Sequence, residues 1–200
     1  MTAKPPSFFG AFLRGPRVIG AVRPSSRFLA QAMVAAAALP TARVAVEFGA
    51  GTGVITRAML RQMAPDARLL VFETNPEFRH WLGRAIRDPR MILVPYGAAD
   101  LAAALAEHSL DRADAILSGL PFQALPPAET EAILQASCRC MTSESRFVAF
   151  QYTAYQEPTF RRVFDQVELV RRVTWNVPPA RVYRCRVRIG ARALETDGRR

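Results

Sequence analysis

Three glycines at alternate positions in Val46-Glu47-Phe48-Gly49-Ala50-Gly51-Thr52-Gly53 follow an apolar run, and a carboxylate stands two residues before the first of them. Glycines in such a turn accept positive φ and let a ligand approach the backbone without meeting a Cβ. The dinucleotide pattern G-x-G-x-x-G needs glycine at position 54, which is Val54. A phosphate-binding Gly-Lys-Ser/Thr needs a lysine, and Lys4 is the only lysine in the chain. Further on, Glu73 closes Leu69-Leu70-Val71-Phe72, with Thr74 beside it. A carboxylate at the end of the second strand, about twenty residues beyond the loop, is placed to take ribose hydroxyls. A second group, Ser118-Gly119-Leu120-Pro121-Phe122, follows the apolar run at 113–117.

Strand, E-x-G-x-G-x-G, helix, strand and glutamate, in that order, resemble the S-adenosylmethionine (AdoMet) site of class I methyltransferases. The resemblance implies AdoMet as cofactor, S-adenosylhomocysteine as its product, and no metal. It assigns Gly49, Ala50, Gly51 and Gly53 to the cofactor cradle, Glu73 to the ribose, and Thr74 and Ser118 to the rest of the cofactor site. Glu47 meets the cofactor's amino end or orders the loop. For the adenine, Ala98 and Ala99 offer backbone groups, because Gly97 stands where relatives carry an aspartate. Asp100 is a candidate too, although the N-cap of the following helix is its plainer role.

These groups need a scaffold that brings strand ends together. Short apolar runs at 44–48, 69–72, 91–94, 113–117 and 147–152 alternate with helical patterns at 54–63, 77–86, 98–107, 127–140 and 159–164. That alternation predicts a parallel sheet covered on both faces. Segments 167–175 and 181–189, separated by Asn176-Val177-Pro178-Pro179, predict an antiparallel pair. The expected fold is α/β: a Rossmann-like class I methyltransferase with a doubly wound, mostly parallel seven-stranded sheet, an antiparallel C-terminal pair and an N-terminal helical extension. Ser25 and Ser26 after Pro24 predict a helix start, with the helix running to about Leu39 before Pro40. Residues 1–40 are expected as a membrane-binding or lid extension and 41–200 as the methyltransferase domain. In the last strand Arg184, Arg186 and Arg188 alternate with Tyr183, Cys185 and Val187. That pattern fits an anion-binding stripe or an edge strand blunted by charge.

The acceptor is read from what residues 118–122 lack. Enzymes that methylate the N6 amine of adenine carry Asn-Pro-Pro-Tyr or Asn-Leu-Pro-Tyr here, the amide holding the base amine and the ring stacking on the flipped base. Gly119 supplies no such acceptor, while Phe122 keeps a ring that can stack. The stretches FLRGPRVIGAVRPSSRFLAQAM, VEFGAGTGVIT, SGLPFQALP and WNVPPARVYRCR resemble the bacterial phosphatidylethanolamine N-methyltransferases of the Pmt type, over nearly the whole chain. The resemblance implies transfer of one to three methyl groups to the ethanolamine headgroup, ending at phosphatidylcholine. Gly119, Leu120, Pro121, Phe122 and Tyr152 are then the residues around the reacting amine. A quaternary ammonium product suits aromatic faces, for which Phe122, Tyr152, Tyr155 and Trp175 are candidates. An adenine-N6 dimethylase of ribosomal RNA is the alternative.

Composition bears on the partner. The formal net charge is +10 over 200 residues. Residues 1–46 hold six basic side chains and no acid, and residues 171–200 hold nine arginines against Glu195 and Asp197. Basic ends imply a polyanionic partner, an anionic membrane surface or a nucleic acid. Ser7 to Leu13 packs three phenylalanines and a leucine ahead of Arg14 and Arg17, so Phe8, Phe9, Phe12, Leu13, Arg14 and Arg17 are the expected membrane-binding set. No apolar stretch reaches the ~20 residues of a membrane span. Cys138, Cys140 and Cys185, with only His80 and His108 beside them, form no metal-ligand pattern and point to reduced thiols. The expected setting is cytoplasmic, peripheral on the inner face of the plasma membrane, with the protein a monomer and a phospholipid ranked above nucleic acid as substrate.

Overall fold

A computed structural model describes residues 25–188, so the expected membrane-binding set at residues 8–17 lies outside the described residues. Seven strands form one sheet in the order β3-β2-β1-β4-β5-β7-β6. They are β1 (Val44–Phe48), β2 (Arg68–Phe72), β3 (Met91–Val94), β4 (Ala113–Ser118), β5 (Met141–Gln151), β6 (Gln166–Val173) and β7 (Ala180–Arg186). Only β7 runs against the others, inserted between β5 and β6. The helices are α1 (Arg27–Ala35), α2 (Val54–Leu60), α3 (Pro76–Ala85), α4 (Leu101–Glu107), α5 (Pro127–Arg139) and α6 (Glu157–Val163).

Alternation along each strand divides the apolar residues between two cores. Ala45, Leu69, Val71, Leu117 and Val148 face α1, α2 and α3, whereas Val46, Phe48, Leu70, Phe72 and Ile116 face α4, α5 and α6. Helix α1 starts as expected, with the Ser26 hydroxyl accepting from the Leu29 N–H at 3.2 Å. It ends at Ala35, short of Leu39, because Ala38 takes a left-handed conformation (φ 53°) and residues 39–41 form a 3₁₀ turn. Leu29 and Met33 are fully buried in the sheet's own core, so α1 is an integral layer of the domain.

Register sets up the site. Phe48 pairs with Phe72 on one side and Ser118 on the other, Phe72 with Val94, and Ser118 with Ala149. Gly49, Glu73, Pro95 and Gly119 therefore leave the sheet side by side at its carboxyl edge, where ligands bind in sheets of this kind.

Other boundaries differ from the sequence pattern too, among them β6, which ends at Val173 in place of 175, and β7, which ends at Arg186 in place of 189. Helix α2 stops at Leu60, and the Arg90 guanidinium collects the carbonyls of Leu60, Met63 and Ala64 while pairing with Asp88 at 2.7 Å. Residues 98–107 split into a 3₁₀ turn (Ala98–Asp100) and α4, and the Asp100 side chain makes no capping hydrogen bond. Strand β5 starts six residues early, with the Ser145 hydroxyl donating to the Ala113 carbonyl where the β4–β5 register shifts. The arginine strand is corrected as well: β7 is interior, its Val182 face packs under α1, and β6 is the edge.

Candidate active site

The glycine loop is a sharp turn between β1 and α2. Gly49, Gly51 and Gly53 have φ of 74°, 52° and 80°, which side chains with a Cβ rarely adopt. A Cβ on Gly53 would also stand 2.7 Å from Leu82 of α3. The loop is tied at both ends. Gly49 N–H donates to the Phe72 carbonyl at 2.9 Å, and Gly53 N–H to the Ala50 carbonyl at 2.9 Å. Trp81 and Arg57 donate to the Thr52 carbonyl from outside.

Glu73 is the centre of this half. Its carboxylate accepts from Gly51 N–H at 2.8 Å and from Asn75 N–H at 2.9 Å, and it is 8% exposed. Arg79 of α3 holds the Glu73 and Thr74 carbonyls. Each oxygen of Glu73 thus carries one backbone donor and keeps a lone pair for a ligand hydroxyl.

Glu47 is a different carboxylate. It lies beneath α2 on the inner side of the loop, fully buried, and neither of its oxygens has a hydrogen-bond partner. The hydroxyl of Thr56, also unpartnered, is its polar neighbour. Burial pushes the Glu47 carboxyl up to about 7; Thr56 pulls it back in part, and the Glu73 charge adds to the rise. A buried carboxylate of this kind fits a cationic ligand group. The glycine cradle and the free lone pairs of Glu73 fit the remainder of AdoMet.

A cleft of about 260 Å³ opens along the edge. Gly49, Gly51, Glu73, Thr74, Ala98, Gly119, Leu120 and Pro121 line it, which brings eight of the expected site residues together. Phe72, Asn75, Phe78 and Tyr96 line it too and were not singled out from the sequence. For Asn75 and Phe78 the signal is Thr74-Asn75-Pro76-Glu77, a helix start: the Asn75 side chain accepts from Glu77 N–H with Pro76 at the first helical position. A helix that begins there must turn Phe78 back toward the strand end.

The remaining expected residues sit elsewhere. Ala50 and Gly53 shape the loop from behind, and Ala99 faces solvent. Ser118 is buried, its hydroxyl accepting from Leu120 N–H at 3.3 Å. Phe122 is corrected: it is fully buried, edge-on to Phe160 at 5.8 Å, and offers no ring face to the cleft. Its carbonyl accepts from Gln156 at 3.1 Å and from Thr130 at 3.4 Å, so the residue anchors the loop. Tyr152 is absent from the cleft lining and packs edge-on against Phe150 at 5.5 Å, on the α1 face. Burial raises its phenol above the ordinary tyrosine value, with Asn176 opposing. Tyr155 and Trp175 are solvent-exposed and form no cage with them.

Gly119 has a steric reason to be glycine. Its N–H donates to the Phe48 carbonyl at 2.8 Å, and a Cβ built on it would meet the Gly49 carbonyl oxygen at 2.9 Å. The acceptor loop and the cofactor loop touch backbone to backbone here. Neither an asparagine nor any other side chain fits at 119 without moving them apart. Residues 119–121 therefore offer a small apolar wall and backbone carbonyls. Among the described residues no cluster of three or more His, Cys, Asp or Glu could hold a metal ion.

No protein-family model matches the chain. An ornithine lipid N-methyltransferase of Singulisphaera acidiphila is 31% identical over 182 residues, which span 90% of this chain and 94% of that protein. The precorrin-6y C5,15-methyltransferase of Geobacter metallireducens superposes with a TM-score of 0.62 at 17% identity, covering 79% of this chain and 88% of that one. Human methyltransferase-like protein 13, solved with S-adenosylhomocysteine, gives 0.57 at 19% identity over 80% and 79%. The two structures share the fold. The glycine cradle, the carboxylate that ties it and the similarity along nearly the full length lead to one conclusion: the chain is an AdoMet-dependent class I methyltransferase and belongs to the family of that ornithine lipid N-methyltransferase.

Proposed function

We propose that the chain N-methylates the primary amine of a membrane lipid headgroup. The observation that carries this reading is the match to an ornithine lipid N-methyltransferase along nine-tenths of the chain. The geometry at Gly119 agrees with it. A headgroup amine on a flexible arm has no planar edge to clamp, and a wall of Leu120, Pro121 and backbone carbonyls accepts it. The same steric closure weighs against an adenine-N6 acceptor, whose amine needs the side-chain amide that position 119 has no room for.

AdoMet, when bound, supplies an electrophilic methyl group. The chain's residues supply position and surroundings. Glu73 would take the ribose hydroxyls while fixing Gly51, and Phe78 and Tyr96 flank the space left for the base. Glu47 would hold the ammonium end of the amino acid moiety as a carboxylate. Gly119 to Pro121 would close the acceptor side and exclude water. The amine must arrive without its extra proton, which leaves to solvent.

Two acceptors have support: ornithine lipid from the relative, and phosphatidylethanolamine from the motif resemblance. Both present a primary amine beside an anionic group. The segment with Phe8, Phe9, Phe12, Leu13, Arg14 and Arg17 is proposed as a reversible anchor on the inner face of the plasma membrane. Purified enzyme with radiolabelled AdoMet and detergent micelles of each lipid tests the reading, with unmethylated ribosomal RNA alongside. Label in either lipid supports it and ranks the two acceptors, and successive products count the methyl groups. Label in RNA alone overturns it.

A further inference from the structure

We infer that the methyltransferase domain carries its own membrane-docking surface at the carboxyl edge of the sheet, for an anionic phospholipid bilayer. The inference rests on the lipid-acceptor reading and adds the part of the folded domain that meets the lipid.

The exposed large apolar side chains of the described residues are Phe28, Tyr96, Tyr155, Trp175 and Val177. All five lie at one edge. Tyr96 follows β3 and Tyr155 follows β5, both at strand carboxyl ends. Gln151 at the end of β5 pairs with Arg181, and Val173 pairs with Ala180, so the hairpin at 174–179 projects past the same edge. Ser26 N–H donates to the Asn176 side chain at 3.1 Å, which brings the first turn of α1, with Phe28, against that hairpin. The cofactor cleft opens on this edge too.

The hairpin is built to project apolar groups. Asn176 is 4% exposed and uses both arms of its amide inward, on Ser26 and on the Pro178 carbonyl. Alternation then throws its neighbours outward: Trp175 is 78% exposed and Val177 70%. Tyr155, at 76%, stands on the next loop. Tryptophan and tyrosine are the residues that settle at the headgroup level of a bilayer.

Charge complements these groups. From Leu169 to Arg188 there is no acidic residue, and Arg171 and Arg172 are exposed on β6 next to the hairpin. The Arg27 guanidinium lies 4.9 Å from the centre of the Phe28 ring. Glu168 is neutralised by Arg184 at 2.6 Å. Apolar tips beside Arg27, Arg171 and Arg172 match an anionic interface, where each basic group adds attraction and each ring adds insertion. Bases stacked on Trp175 and Tyr155 would leave Val177, Pro178 and Pro179 beside them without a partner, whereas a bilayer takes up all five.

The test uses the full chain, whose only tryptophans are Trp81 and Trp175. Trp81 is partly buried against the glycine loop, so Trp175 reports the hairpin. Vesicles of phosphatidylcholine and phosphatidylglycerol with brominated acyl chains are added, and tryptophan emission is followed with vesicle sedimentation. Quenching of the bound chain, absent in Trp175→Ser, and about a tenfold weaker partition for Trp175→Ser/Val177→Ser are expected. Binding with no quenching, as when residues 1–24 alone hold the chain, overturns the inference. So does binding to single-stranded RNA in place of vesicles. Methyl transfer to micellar lipid is scored separately. Transfer without quenching sinks only the docking surface, and quenching without transfer sinks only the acceptor assignment.

Discussion

The two halves of the carboxyl edge are built on opposite plans. Around β1 and β2 every turn is fixed by hydrogen bonds: Glu73 holds Gly51 and Asn75, Arg79 holds the Glu73 and Thr74 carbonyls, and Phe72 holds Gly49. Around β4 to β7 the edge presents a glycine, a leucine and a proline, then loops that end in exposed rings. A polar cofactor that must be held in one pose needs the first plan. An acceptor that is flexible at its amine and anchored in a bilayer needs the second. The halves meet where Gly119 touches Gly49, which is the one place where a change should damage both.

Removing Glu73 should give the largest effect. Glu73→Ala frees Gly51 and Asn75 N–H groups and removes a charged acceptor for the ligand. Charge-assisted hydrogen bonds of this kind are worth about 1.5–3 kcal/mol each, so AdoMet affinity by calorimetry should fall about 100-fold or more. Retained affinity would mean that the cofactor half is not organised by this carboxylate. Gly119→Asn comes next. Its Cβ must displace the Gly49 carbonyl, at a cost of about 1–3 kcal/mol. Thermal stability and AdoMet affinity should fall together, whereas a change confined to the acceptor's KM would separate the halves.

The Glu47 carboxyl predicts a pH signature of the cofactor half. Its folded value is raised from 4.5 to about 7, so the folded chain binds this proton more tightly than the unfolded chain. Stability of the ligand-free protein should therefore fall as pH rises between those values, by about 3 kcal/mol in all, and Glu47→Gln should remove the fall. The ammonium of AdoMet favours the ionised form, so affinity should weaken as pH drops below about 7, by up to tenfold per pH unit. A flat affinity profile in the wild-type chain would remove Glu47 from the site. The smallest effect is expected at the rim. Trp175→Ser should leave thermal stability within about 0.5 kcal/mol, because the residue is 78% exposed and has little burial to lose. A large drop would make the ring structural.

The same contrast explains what could be read from the sequence. Strands β1 and β3 fall at their expected ends because short apolar runs between turn residues leave no other choice. The glycine loop and Glu73 were legible because binding through backbone and one carboxylate imposes residue types at fixed spacing. Phe122 was not, since a ring after a proline reads the same whether it faces a ligand or Phe160. The early start of β5 was hidden by the polar run Thr142-Ser143-Glu144-Ser145, whose strand geometry depends on Ala113 across the sheet. The interior position of β7 was hidden for a related reason. Its arginines mark one side as polar, but Val182 on that side is buried by α1, a contact 150 residues away in sequence at Ser26 and Asn176.

Mass spectrometry of the lipid extract after reaction of the wild-type chain with AdoMet and mixed lipid tests the central claim most directly. The account predicts headgroup masses raised in steps of one methyl on a primary-amine lipid, absent with Glu73→Ala. Unchanged lipids, from a chain that binds AdoMet and methylates added RNA, would contradict it.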